Sequence, residues 1–207
     1  MTDKAASTTP LCRYRYDALD RLAAINPQAQ TSMARFYQKG RLTVEIQGAV
    51  RRRIVECSGQ LLAENGVDDS TVLTDLLGAD TQGSVLHALS SQGWQSLAYS
   101  PYGHHLQGRI LSGFNGERPD PMTGHYLLGN GYRAFNPVLM RFNQPDSLSP
   151  FGRGGMNAYA YGLGDPVNNN DPTGHIPMAA ALSRPSRFEE LPLEMLEKIV
   201  KRLPLND

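Results

Sequence analysis

The chain has 207 residues, 40% of them hydrophobic, with 20 Lys and Arg against 20 Asp and Glu and so no formal net charge. That length accommodates one domain, or one domain with an appendage, and can bury a real core. Neutrality argues against a general nucleic-acid binder, which carries a basic excess, and no apolar run approaches the 18 residues of a membrane span. The first residues, MTDKAASTTP, lack the apolar centre of a secretory signal, and residues 1–11 read as a disordered tail. Cys12 and Cys57 stand far apart with no CxxC, which speaks against a disulfide framework and for a reducing cytoplasm.

From residue 12 to 112 the chain reads as short strands separated by turns. Arg41–Gln47 (RLTVEIQ) alternates, so Leu42, Val44 and Ile46 are expected on one half-buried face and Thr43, Glu45 and Gln47 on the other. Gly48-Ala49 turns the chain, Arg52–Cys57 returns antiparallel, and Ser58-Gly59 turns it again. Further strands are expected at Gln60–Glu64, Thr71–Asp75, Ser84–Leu89, Gln95–Tyr99, Gly108–Phe114 and His125–Leu128. The fold class is therefore mainly β, an antiparallel meander or curled sheet followed by a loop-rich segment. Arg51, Arg52 and Arg53 form a basic cluster, expected on a solvated strand face or on an edge. His104 and His105 read as surface loop residues, the five histidines show no metal-ligand spacing, and no phosphate loop or Ser/His/Asp set emerges, so no cofactor is expected.

Residues 113–175 form a turn-punctuated segment, and residues 176–187 read as a linker rich in Ala, Ser and Pro. Residues 188–207, FEELPLEMLEKIVKRLPLND, predict an amphipathic helix. Pro192 suits its first turn. Acids cluster at its start and bases at its end, in the sense the helix dipole favours. Leu193, Leu196, Ile199, Val200 and Leu203 make one apolar stripe, and Pro204 stops it.

The order of pieces between Gly113 and Gly174 carries more than their composition. A D-P-M-T-G-H-Y-L-L element is followed by Y-R-A-F-N-P, R-F-N-Q-P-D, G-G-M-N-A-Y-A-Y and D-P-V-N-N-N-D-P-T-G. Upstream, Tyr14, Tyr16, Asp17, Arg21 and Leu22 fit a Y-x-Y-D-x-x-G-R-L repeat, with Asp20 where Gly is usual. Phe36, Tyr37, Gly40, Arg41 and Leu42 fit a degraded copy. Thr74, Asp75, Leu77 and Gly78, then Tyr99, Pro101, Tyr102 and Gly103, add two more elements. Over residues 12–175 the chain resembles Rhs/YD-repeat proteins, the family of bacterial polymorphic toxins and of the C components of insecticidal toxin complexes.

The resemblance implies a β shell, for which this chain has too few strands. A curled sheet with an open edge is expected instead, offering a place to a partner strand, another copy or a larger toxin-complex chain. It also implies an aspartyl autoprotease, with Arg133, Asp146 and Asp171 as its residues and cleavage after the D-P-x-G-x motif, between His175 and Ile176. Two close carboxyls cannot both ionise, so one serves as acid and the other activates water; a guanidinium holds a carboxylate or a developing oxyanion. His175 departs from the Leu that many processed members carry. The alternative is that Asp146 and Asp171 only cap turns.

The C-terminal pattern L-P-x-E-x-L-x-x-I-x-x-x-L-P resembles the opening of a eukaryotic F-box, matched by Leu191, Pro192, Glu194, Leu196, Ile199, Leu203 and Pro204. It implies docking on the adaptor subunit of an SCF-type ubiquitin ligase through an apolar helical stripe, while an ordinary amphipathic helix would pack on its own domain. Together the resemblances imply a bacterial toxin or effector scaffold presenting its C-terminal tip, made in the bacterial cytoplasm and delivered without a classical signal peptide. A self-cleaving core and an inactive remnant of a larger protein are the alternatives.

Overall fold

The computed structural model describes residues 9–68, 71–106 and 108–179. Nine strands, β1 (Cys12–Tyr16), β2 (Leu22–Pro27), β3 (Met33–Gln38), β4 (Arg41–Gln47), β5 (Val50–Cys57), β6 (Gln60–Asp68), β7 (Thr71–Ala79), β8 (Val85–Ser90) and β9 (Gly93–Ser96), pair in chain order as one open sheet. Every pairing is antiparallel, as hairpin connections require. The mainly antiparallel β class stands, without a closed barrel.

The first tyrosine-containing repeat shows why these turns form. The Asp17 carboxylate accepts from the Leu19 and Arg21 backbone N–H groups at 2.8 and 3.0 Å and pairs with the Arg21 guanidinium at 2.7 Å. Asp20 takes φ +56°, the left-handed conformation that Gly usually fills and that Asp tolerates. The chain then enters β2, where Leu22 and Ile25 are fully buried with Met33.

The faces of β4 differ from the alternation read in the sequence. Phe36 lies opposite Val44 but Tyr37 lies opposite Leu42, so Thr43 is an extra residue, a bulge. One extra residue exchanges the faces. Leu42 therefore turns inward and packs beside Ile54, Leu61, Val85, Ala88 and Ile110. Val44 and Ile46 remain only half-buried, and Glu45 is 5% exposed. The inner face of the sheet is thus partly ionic. The reason is the cover that lies on it: Glu45 meets Arg35 at 3.0 Å and Arg118 at 3.2 Å, Asp75 meets Arg109 at 2.6 Å, and Glu64 accepts from the Ser112 and Leu111 N–H groups at 2.6 and 3.1 Å.

That last contact corrects a second expectation. Residues 108–114 form no strand: the Leu111 and Ser112 N–H groups find the Glu64 carboxylate and the Gly113 N–H the Glu117 carbonyl, rather than a neighbouring strand. The arginine cluster is also placed: β5 lies mid-sheet, so the edge reading fails, while Arg51 and Arg53 are exposed on the outer face.

Beyond β9 come β10 (Tyr126–Leu127), the single turn α1 (Leu128–Gly131), β11 (Arg133–Asn136) and β12 (Arg141–Phe142), then β13 (Asn169–Asn170) and β14 (Met178–Ala179). β10, β11 and β12 make a three-stranded ribbon, and β13 pairs with β14, so the start of the expected 176–187 linker is hydrogen-bonded strand. This half has its own aromatic core of Phe114, Tyr126, Phe135, Phe142 and Tyr161. Phe135 stacks on Tyr161 at 4.1 Å and meets Phe142 edge-on at 5.8 Å. Such pairs add about 0.5–1.5 kcal/mol each beyond their burial. Tyr14 and Tyr16 of β1 reach across to it, donating to Asp120 Oδ2 and to the Gly131 carbonyl, both at 2.9 Å. The helix expected at 188–207 lies outside the described residues.

Candidate functional site

Arg133, Asp146, Asp171 and His175 come together from four segments: the start of β11, the Q-P-D turn after β12, the residue following β13, and the turn before β14. Each is fixed locally. Asp146 donates its N–H to the Ala158 carbonyl at 2.9 Å, and its Oδ1 accepts from the Leu148 N–H at 2.9 Å, a turn-capping contact. Asp171 Oδ1 accepts from the Thr173 hydroxyl at 3.1 Å and from the His175 N–H at 3.0 Å, the same kind of device. Both aspartates therefore do cap turns, and that accounts for one oxygen of each.

Arg133 engages the other oxygens. Its Nη2 lies 3.2 Å from Asp146 Oδ2 and 3.6 Å from Asp171 Oδ2. Nη1 donates to the Ala158 carbonyl at 3.1 Å, Nε donates to the Gly174 carbonyl, and the guanidinium carbon sits 3.7 Å from the Phe142 ring centre. The three side chains are 1–3% exposed. Among the described residues, Asp171 Oδ2 has no hydrogen-bond partner.

The environments push the two carboxyls apart. Burial raises the Asp171 pKa above the ordinary carboxylate value, outweighing the Thr173 hydroxyl and Arg133, which lower it. Burial opposes ionisation of Asp146 too. There the Leu148 N–H, the His175 contact and Arg133 together prevail, and its pKa lies below the ordinary value. Two carboxyls beside one guanidinium, one favouring the acid and the other the carboxylate, are the arrangement that general acid–base hydrolysis needs.

His175 completes the cluster. Its Nδ1 is 2.9 Å from Asp146 Oδ1, and its ring stacks on Tyr132 with centroids 3.8 Å apart. Around the expected break between His175 and Ile176, the His175 N–H donates to Asp171 Oδ1 at 3.0 Å and to Thr173 Oγ1 at 3.2 Å, the Ile176 N–H donates to Thr173 Oγ1 at 3.2 Å and also faces Asp171, and the Gly174 carbonyl accepts from Arg133 Nε. Two glycines permit this packing. A Cβ on Gly129 would stand 2.2 Å from the Thr173 carbonyl oxygen, and Gly174 has φ +70°.

Sequence reasoning passed over Tyr132 and Thr173, although both lie inside the quoted motifs, Y-R and D-P-T-G. It also took His105 for a surface residue. His105 is half-buried, 3.2 Å from the Tyr126 hydroxyl and 4.8 Å from the Tyr99 ring centre, and burial lowers its pKa. No cluster of three metal-ligating side chains occurs among the described residues. No helix among them is long and apolar enough to cross a membrane. Leu191, Pro192, Glu194, Leu196, Ile199, Leu203 and Pro204 lie outside the described residues.

No protein-family model matches the chain, and no curated protein does. Among solved structures it is similar to the one described as "Crystal Structure of TcdB2-TccC3", at 16% identity and a TM-score of 0.48, covering 79% of this chain and 10% of that one. It is similar to the structure described as "Crystal Structure of TcdB2-TccC3-TEV" at 16% identity and a TM-score of 0.47, with the same coverage. The chain thus spans a tenth of the length of those chains.

Proposed function

We propose that the chain is an Rhs-type toxin scaffold whose Arg133–Asp146–Asp171 cluster hydrolyses its own backbone beside His175, freeing the C-terminal segment. The observation that supports this best is that two buried carboxyls flank one guanidinium nitrogen and are pushed in opposite directions, one of them with an oxygen that has the 3.6 Å ion pair and no hydrogen bond. In the proposed reaction Asp146 takes a proton from water, Asp171 protonates the departing amide nitrogen, and Arg133 stabilises the oxygen that gains charge.

Intact mass measured over days tests this. The chain should lose a fragment of about 30 residues, counted from the D-P-T-G-H boundary, and Asp146→Asn or Asp171→Asn should each stop the loss, since the chemistry needs one acid and one base. A single uncut species would end the self-cleavage reading.

The F-box-like pattern of Leu191, Leu196 and Ile199 in that segment supports a second role, in which it binds a ligase adaptor once freed. The outer sides of β1 and β9, unpaired among the described residues, support docking by a larger toxin-complex chain.

A further inference from the structure

The sheet and its cover enclose a cavity of about 310 Å³, with Arg35 and Arg118 of the Glu45 ion triad in its walls. A space of that size admits a small molecule. Arg118 is the unusual member. Its side chain is 5% exposed, its Nη1 has the 3.2 Å ion pair with Glu45, and none of its three nitrogens has a hydrogen bond among the described residues. A guanidinium carries five N–H donors, and buried donors left unmade are costly. Glu45 divides its two oxygens between Arg118 and Arg35, whose Nε donates at 3.0 Å. Burial pushes the Arg118 pKa below the ordinary arginine value; Glu45 and Glu64 oppose this, and Arg35 and Arg52 add to it.

The charge of the lining leans the same way. Arg35, Lys39, Arg41 and Arg118 line the cavity, and Arg41 pairs with Glu56. Setting Glu45, Glu56 and Glu117 against those four leaves one positive charge over, a balance that suits a monoanion better than a phosphate dianion. Leu42 and Leu61 supply an apolar wall. We propose that this cavity is a binding site for a small organic monocarboxylate, whose charged end takes the open donors of Arg118 and whose apolar body lies against Leu42 and Leu61. A carboxylate accepts two parallel bonds from one guanidinium, which uses the donors that Glu45 leaves over. The cavity shares no lining residue with the Arg133 cluster, so the site stands or falls apart from self-cleavage.

An NMR titration of the full chain with hexanoate, set against hexanamide and inorganic phosphate, tests this. Hexanoate should shift the Arg118 Nε–H and the Leu42 and Leu61 methyl signals saturably. Hexanamide has the same body without the charge and should bind at least about 10-fold more weakly, the scale of a hydrogen bond to a charged group. Phosphate has charge without the body and should not displace hexanoate at equal concentration. Arg118→Gln should weaken hexanoate by about the same factor as removing the charge from the ligand. The proposal is overturned by the absence of a saturable shift at Arg118, by equal binding of hexanoate and hexanamide, by displacement with equal phosphate, or by unchanged affinity in Arg118→Gln. Should that variant fail to fold, the comparison of acid with amide in the wild-type chain decides the matter.

Discussion

The inner face of the sheet and the Arg133 cluster both bury carboxylates against arginine, and they do so on opposite terms. On the sheet each acid is fully matched: Glu45 has Arg35 and Arg118, Asp75 has Arg109, and Glu64 holds two backbone N–H groups. These contacts tie the segment from Arg109 to Arg118 onto β4, β6 and β7. At Arg133 two acids share one nitrogen, and Asp171 Oδ2 has only that ion pair at 3.6 Å and no hydrogen bond. The first arrangement staples two layers. The second shifts its two carboxyls in opposite directions, Asp171 up by burial and Asp146 down by its hydrogen bonds and Arg133. What separates the two is that Glu45 is shared by two arginines, whereas at Arg133 two acids share one.

The comparison breaks most easily at Glu45. Glu45→Ala leaves two buried guanidinium groups uncompensated and should cost about 3–5 kcal/mol, read from denaturant unfolding. A loss below about 1 kcal/mol would mean that the ion triad is not a staple.

The Arg133 cluster should respond less, and its two acids with opposite sign. The folded-state pKa of Asp146 is depressed, so its stabilisation is present above the ordinary carboxylate value and disappears as pH falls through the folded value. Asp146→Asn should therefore destabilise near neutral pH by about 1.5–3 kcal/mol, with the difference vanishing in acid. The folded-state pKa of Asp171 is raised, so its contribution is present below the ordinary value and is lost as pH rises through the folded one. Asp171→Asn should be neutral or stabilising near neutral pH while stopping cleavage. Equal destabilisation by both substitutions would erase the distinction between site and staple.

The smallest effect is expected on the outer face of the sheet. Arg51→Ala and Arg53→Ala remove exposed charges and should each change stability by less than about 0.5 kcal/mol. A larger loss would show that the outer face also carries matched ion pairs.

The legibility of the sequence follows the range of the interactions. The hairpins could be read from Gly48-Ala49 and Ser58-Gly59, because a turn is decided within a few residues. The faces of β4 could not. A single bulge residue, Thr43, moves Leu42 inward, and the burial of Glu45 depends on Arg118, far along the chain. Residues 108–114 have the composition of a strand and lose that fate to Glu64, 47 and 48 positions before the N–H groups it binds. His105 looked like a surface residue because its partners Tyr99 and Tyr126 are brought to it only by the aromatic core. Arg133, Asp146 and Asp171 were legible through their motifs. That Arg133 would reach the Gly174 carbonyl, 41 residues along the chain, had no local signature.

The central claim, that their surroundings shift the two aspartates in opposite directions, is tested most directly by a carboxyl-carbon NMR titration of Asp146 and Asp171 in the intact chain. Asp146 should titrate below the ordinary carboxylate range of about 3.9, and Asp171 above it. Two aspartates titrating together at the ordinary value would contradict the account and leave the cluster as turn caps around an arginine.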